Sequence, residues 1–140
     1  MEITISKIGA AAEQMDWAIR LLIDHDAHLP AITLAGAAEE IVGAALKEKS
    51  TFAQLADKLS IDFGLPRPKV TQDHLNKARN WLKHWHDHPA GDTLTLDPEA
   101  EAIQQIIRAL TNLATYDSSW PSQGPRFAQW LTDHHPELME

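Results

Sequence analysis

The 140-residue chain contains no cysteine, which excludes a disulfide framework, a thiolate metal site and a cysteine nucleophile. It also lacks a glycine-rich phosphate loop, a Gly-x-Ser-x-Gly elbow and any paired-carboxylate signature, so three common chemistries have no anchor. Strand-like alternation is nearly missing. It is confined to Thr93-Leu94-Thr95-Leu96, too short for more than an extended connector or a small ribbon with Glu2-Ile3-Thr4-Ile5. The opening residues, Met1 to Lys7, do not place an apolar stretch behind a basic one, and no apolar run is expected to approach the ~20 residues that span a bilayer. The reading is a cytoplasmic protein with no membrane partner.

What is present is ordinary for a globular protein: 44% apolar and 23% charged residues. About 140 residues fit one domain, 1–140, which at roughly 70% surface burial needs no staple to fold. Basic residues are scarce. Twelve Lys and Arg face twenty Asp and Glu, for a net charge of −8, a poor balance for a chain that grips phosphate backbones mainly through counterion release. The deficit is uneven, however. Residues 67–88 carry five basic and two acidic side chains, +3, together with His74, His84, His86 and His88, which leaves −11 for the remainder. Such a segment on an acidic body either focuses an anion or is simply a solvated face.

Periodicity of three to four residues predicts an all-α bundle of about five helices. Ser6 caps a first helix running to Asp24 or Asp26, with Ile8, Met15, Ile19 and Leu22 on one face. Pro30 suits the first turn of a second helix through Leu46, apolar nearly all round apart from Glu39 and Glu40. Gly36 and Gly43 lie on one side of it and would let another backbone approach closely, offsetting a cost of roughly 1 kcal/mol for each Gly relative to Ala. A third, short helix spans Phe52 to about Leu59 and ends before the Pro66/Pro68 break. Thr71 caps a fourth, ending near Asp87 to Pro89, with Leu75, Ala78, Leu82 and Trp85 inward. Asp97-Pro98-Glu99 starts a fifth, with Ile103, Ile106, Ile107, Leu110 and Leu113 inward to Tyr116. Phe127 to Leu131 add a last turn or two.

The fourth helix carries the candidate chemistry. Asn80 and His84, and likewise Arg79 and Lys83, are i,i+4 neighbours, forming a polar cationic strip opposite Leu75, Ala78 and Leu82. An imidazole can move a proton at neutral pH, a guanidinium and an ammonium can hold phosphoryl oxygens, and an amide can orient either. That set suits metal-free cleavage of RNA by its own 2′-hydroxyl, with His84 in proton transfer and Arg79 and Lys83 stabilising charge. The same residue types also make an unremarkable solvated face or a structural contact.

Arg79-Asn80-x-x-x-His84 resembles the R-x4-6-H motif of the higher-eukaryote-and-prokaryote nucleotide-binding (HEPN) superfamily of small helical bundles. The Ala-rich second helix, with Ala37-Ala38-Glu39-Glu40-Ile41, is similar to the Glu-containing helix preceding the motif helix there. Across nearly the whole chain, Thr33-Leu34-Ala35-Gly36-Ala37-Ala38, Asn80-x-x-Lys83-His84 and Pro125-x-Phe127-x-x-Trp130 resemble an uncharacterised bacterial all-helical family. The superfamily resemblance implies a homodimer, RNA as substrate, an antitoxin-like protein as partner, and Arg79, Asn80 and His84 in the active roles; Lys83 is added from the residues themselves. It equally implies a second kind of member, inactive and serving as a dimerisation or binding module. Glu39 or Glu40 is placed to reach Arg79 across the bundle. No cofactor is called for. His84 and His88, i,i+4, offer a weaker alternative as metal ligands, with His134-His135 or His25 and His28 as remote additions. Trp81, Trp85, Trp120 and Trp130 could stack bases, though for most of them a place in the core is the preferred reading.

Overall fold

The computed structural model describes residues 1–64, 66, 75–85, 91–117 and 122–139. Among them are six α-helices: α1 (Lys7–His25), α2 (His28–Leu46), α3 (Thr51–Phe63), α4 (Lys77–Lys83), α5 (Pro98–Tyr116) and α6 (Gly124–His134). Two 3-10 segments, Lys47–Lys49 and Pro136–Met139, follow α2 and α6, and none of the described residues forms a strand. Of the two alternatives for Thr93–Leu96, a connector or a small ribbon with Glu2–Ile5, the ribbon does not form: neither segment takes regular secondary structure.

Local chemistry sets the helix ends. Gly9 N donates to Ser6 Oγ at 2.9 Å, Ala53 N to Ser50 Oγ at 3.1 Å and Ala100 N to Asp97 Oδ1 at 3.1 Å, each satisfying an amide that the helix itself leaves open. Pro98 opens α5, and Gly64, at φ +62°, closes α3 in the left-handed region that glycine enters without strain. The third helix is longer than Phe52–Leu59 because this glycine, four residues beyond Ser60, supplies the stop. The last helix is likewise longer than Phe127–Leu131, since it starts at Gly124 ahead of Pro125.

α2 is the centre. Its largest interfaces are with α5 and α1, and Ala31, Ile32, Ala35, Ala38 and Val42 are buried along it, against Met15 and Ile19 of α1 and Ile106 and Ala109 of α5. Small residues on α2 let the two neighbouring helices close on it from both sides. By length and composition the span His28–Lys49, mean hydropathy 1.4 over its best window, is apolar enough to cross a membrane. This exceeds the sequence-based expectation of no such run, because Glu39 and Glu40 are the only acidic or basic side chains from Leu29 to Leu46. In this fold α1 and α5 pack on it, and 39% of that window is buried inside the protein. α6 docks on α1 through Asp16, which accepts from Ser122 Oγ at 2.6 Å and Gln123 N at 3.1 Å, and through the Asp24–Arg126 pair.

Two inward assignments fail. Ile107 is partly exposed at 38%, and Trp85 is exposed at 79%, since α4 ends at Lys83 and Trp85 lies beyond it. The Thr71 cap and the stretch from His86 to Pro89 lie outside the described residues.

Candidate functional site

α4 lies against α2 through the residue expected on the open strip. Arg79 is only 8% exposed. Its stem fills the gap left by a missing side chain: a Cβ built on Gly36 would meet Arg79 Cδ at 2.2 Å and Cγ at 2.8 Å. The glycine thus admits an arginine stem of the same chain where a second backbone was expected. Gly43 faces Asn112 Nδ2 and Ser50 Cβ at ordinary contact distance, 3.5 and 3.6 Å from an added Cβ, so this side of α2 is occupied within the protomer.

Arg79 Nη1 donates to Gly36 O at 3.3 Å and stands 3.6 Å from Glu39 Oε2. Glu39, 2% exposed, is the hub. Its Oε1 accepts from Arg108 Nη2 at 2.6 Å and Arg108 Nε at 3.0 Å, and its Oε2 from Gln105 Nε2. Arg108, 3% exposed, also reaches Leu75 O at 2.9 Å and Asn76 Oδ1 at 3.4 Å. Asn112 Nδ2 donates to Glu39 O at 3.4 Å, while its Oδ1 accepts from Thr51 N at 2.8 Å and from Thr51 Oγ1. One polar network thereby ties α2, α5, the start of α3 and the entry to α4.

The network itself holds two cations and one anion, with Glu40 and Glu101 acting on them from its edge. Two buried guanidiniums share one buried carboxylate, and the Nε of Arg79 has no hydrogen-bond partner among the described residues. Burial, helped by the like charge of Arg108, lowers the Arg79 pKa below its ordinary value against the opposing pull of Glu39 and Glu40. Glu101, held above the usual carboxylate range by burial, acts on Arg108 only through its longer-range field. Beside Arg79 opens a cavity of about 490 Å³, lined among others by Glu40, Ala44, Lys47, Ser50 and Asn76. Lys47 sits at its rim with φ +56°, ψ −120°, a region that costs a side-chain-bearing residue about 1–3 kcal/mol.

The four proposed site residues are not gathered. Arg79 faces inward, Asn80 is half-buried, and Lys83 pairs at the surface with Glu40 Oε2 at 3.4 Å. His84 is exposed and extended, φ −127°, ψ 138°, because the helix has ended one residue earlier. Trp81 Nε1 donates to Gly91 O at 3.0 Å, returning the chain to α4 within ten residues. The i,i+4 relation assumed for Asn80 and His84 thus falls across a helix end, and His84 does not line the cavity that Arg79 lines.

His88 lies outside the described residues, and no group of three or more metal-capable side chains occurs among those described. His28 pairs with Asp26, His134 Nδ1 lies 2.9 Å from Trp130 O, and His135 stands between Glu99 and Glu137. Of the tryptophans, Trp81 and Trp130 are half-buried, and Trp120 is outside the described residues.

Of the two acids expected to reach Arg79, Glu39 or Glu40, the structure selects Glu39, and it adds Gln105, Arg108 and Asn112, which the sequence pattern alone did not single out. Their signal is the spacing i, i+3, i+7, a polar ladder alongside the apolar stripe of α5. No protein-family model, curated protein or solved structure matches the chain.

Proposed function

We propose that the protein is a non-catalytic binding module of HEPN-like architecture whose α2–α4 cavity receives an anionic group. The observation that carries this reading is the shared carboxylate: Glu39 balances one of two buried arginines, and the second, Arg79, borders the cavity. Arg79 shares Glu39 with Arg108 and is offset further only by the field of Glu40, and a small anion entering from solvent adds the counterion that this sharing leaves incomplete. Glu39, Glu40 and Glu48 line the cavity against Lys47 and Arg79, a balance that disfavours long polyanions and leaves room for no more than one small anion held between the two cations. Titration of the full chain with inorganic phosphate, followed by amide NMR and calorimetry, should shift the amides of residues 36–53 and 76–80. Arg79→Met and the cavity-filling Ala44→Trp should each weaken the binding at least tenfold. Unchanged amide spectra in the parent protein would remove the proposal.

A metal-independent ribonuclease is the second reading, favoured by one observation: Lys83 and His84 are both exposed at the end of α4, where a second copy of the chain can complete a cleft. It requires RNA cleavage in excess chelator that His84→Ala abolishes while the helical fold persists.

A further inference from the structure

We infer a second ligand site, for an apolar molecule bearing one cationic group, between the α3 start, the first half of α5 and the C-terminal 3-10 segment. A cavity of about 660 Å³ lies there, within the roughly 300–1,000 Å³ of small-molecule pockets. Leu55, Ile103, Ile107 and Leu138 supply apolar walls. Ile107 and Leu138 are 38% and 53% exposed, so an apolar occupant covers surface that the fold itself leaves in water.

The charge around this cavity selects the polar end. Asp97, Glu99 and Glu137 border it, with His135 and Arg108 as the cations. Arg108 is turned away: four N–H donors go to Glu39, Leu75 O and Asn76 Oδ1. His135 is held by Glu99 Oε1 at 3.5 Å and Glu137 Oε1 at 3.2 Å. The N-terminus of α5 opens here too, and its macrodipole contributes only about half a positive charge. With the imidazole fully charged the rim still carries about −1.5 by that reckoning. An ammonium or guanidinium is favoured over a carboxylate of the same size.

The site is independent of the α2–α4 cavity, from which the α3 start and Arg108 separate it. The probe is n-octylamine, protonated at pH 7, against n-octanoate and n-octanol, titrated into the full chain by calorimetry and amide NMR. Octylamine should bind at least tenfold more tightly than octanoate, shifting the amides of residues 97–107 and 135–139. Ala100 is exposed and lines the cavity, so Ala100→Trp fills the space without touching the core and should reduce that binding at least tenfold. The double variant Glu99→Gln/Glu137→Gln should erase the preference for the amine while octanol binding persists. Equal binding of amine and acid to the parent, absence of binding by all three probes, or amine binding that Ala100→Trp leaves unchanged would each overturn the inference.

Discussion

Replacing Glu39 with alanine tests the central network most directly. In the parent, Glu39 accepts from Arg108 and Gln105 and faces Arg79 at 3.6 Å, all at sites under a tenth exposed. Without the carboxylate, two guanidiniums remain buried with no counterion between them. Breaking a buried pair by removing one partner costs about 3–5 kcal/mol, a large part of the 5–15 kcal/mol typical of a whole domain. With a urea m-value of about 2 kcal/mol/M, the midpoint should fall by roughly 2 M at unchanged slope. The assay is urea unfolding followed by circular dichroism. Phosphate should restore more stability to Glu39→Ala than to the parent, which separates anion entry from general salting-out. The triple variant Glu39→Met/Arg79→Met/Arg108→Met removes every charge together and should recover most of the loss, since a buried triad replaced by apolar groups is often neutral or better. A midpoint shift under about 0.5 M for Glu39→Ala, corresponding to roughly 1 kcal/mol, refutes the claim that this network holds α4 and α5 on α2.

Gly36→Ala should destabilise despite its better helix propensity, because the roughly 1 kcal/mol gained is outweighed by about 1–3 kcal/mol of overpacking against Arg79; in the background of Arg79→Ala the same substitution should become stabilising, as a double-mutant cycle by urea unfolding will read. Lys47→Gly should stabilise by about 1 kcal/mol in thermal unfolding, the relief of a positive φ exceeding glycine's entropy cost. Burial pulls the His135 pKa down, but its hydrogen bonds to Glu137 and Glu99 outweigh that and raise it above 6.5. The raised value means that the C-terminal contact is fully stabilised below pH 6.5 and weakens as pH climbs through the folded-state pKa. NMR titration of the imidazole should show this, with Glu99→Gln/Glu137→Gln returning the midpoint toward 6.5. The side-chain cap of α5 is worth about 1 kcal/mol, so Asp97→Ala should lower stability by that amount in urea unfolding.

The secondary structure class and most helix starts follow from the order of residues alone. Those depend on contacts three or four residues away: a Ser or Asp oxygen meeting an amide in the next turn, a proline in the first turn, an apolar stripe at helical spacing. The same order also narrowed the acidic partner of Arg79 to Glu39 or Glu40, the two acids of the second helix, and the packing chose Glu39. Tertiary structure alone decided which face of α4 turns inward. The expected open strip was inferred from residue type, arginine being usually a surface residue, whereas a glycine on α2 made room for its stem and a carboxylate on the same helix compensated its charge. No periodicity reports that coincidence. Likewise Gln105, Arg108 and Asn112 become a buried hub only because α2 presents Glu39 to them across the bundle; Lys83 is drawn to Glu40 at the surface while Arg79 turns in to Glu39, and His84 leaves the strip because α4 ends at Lys83.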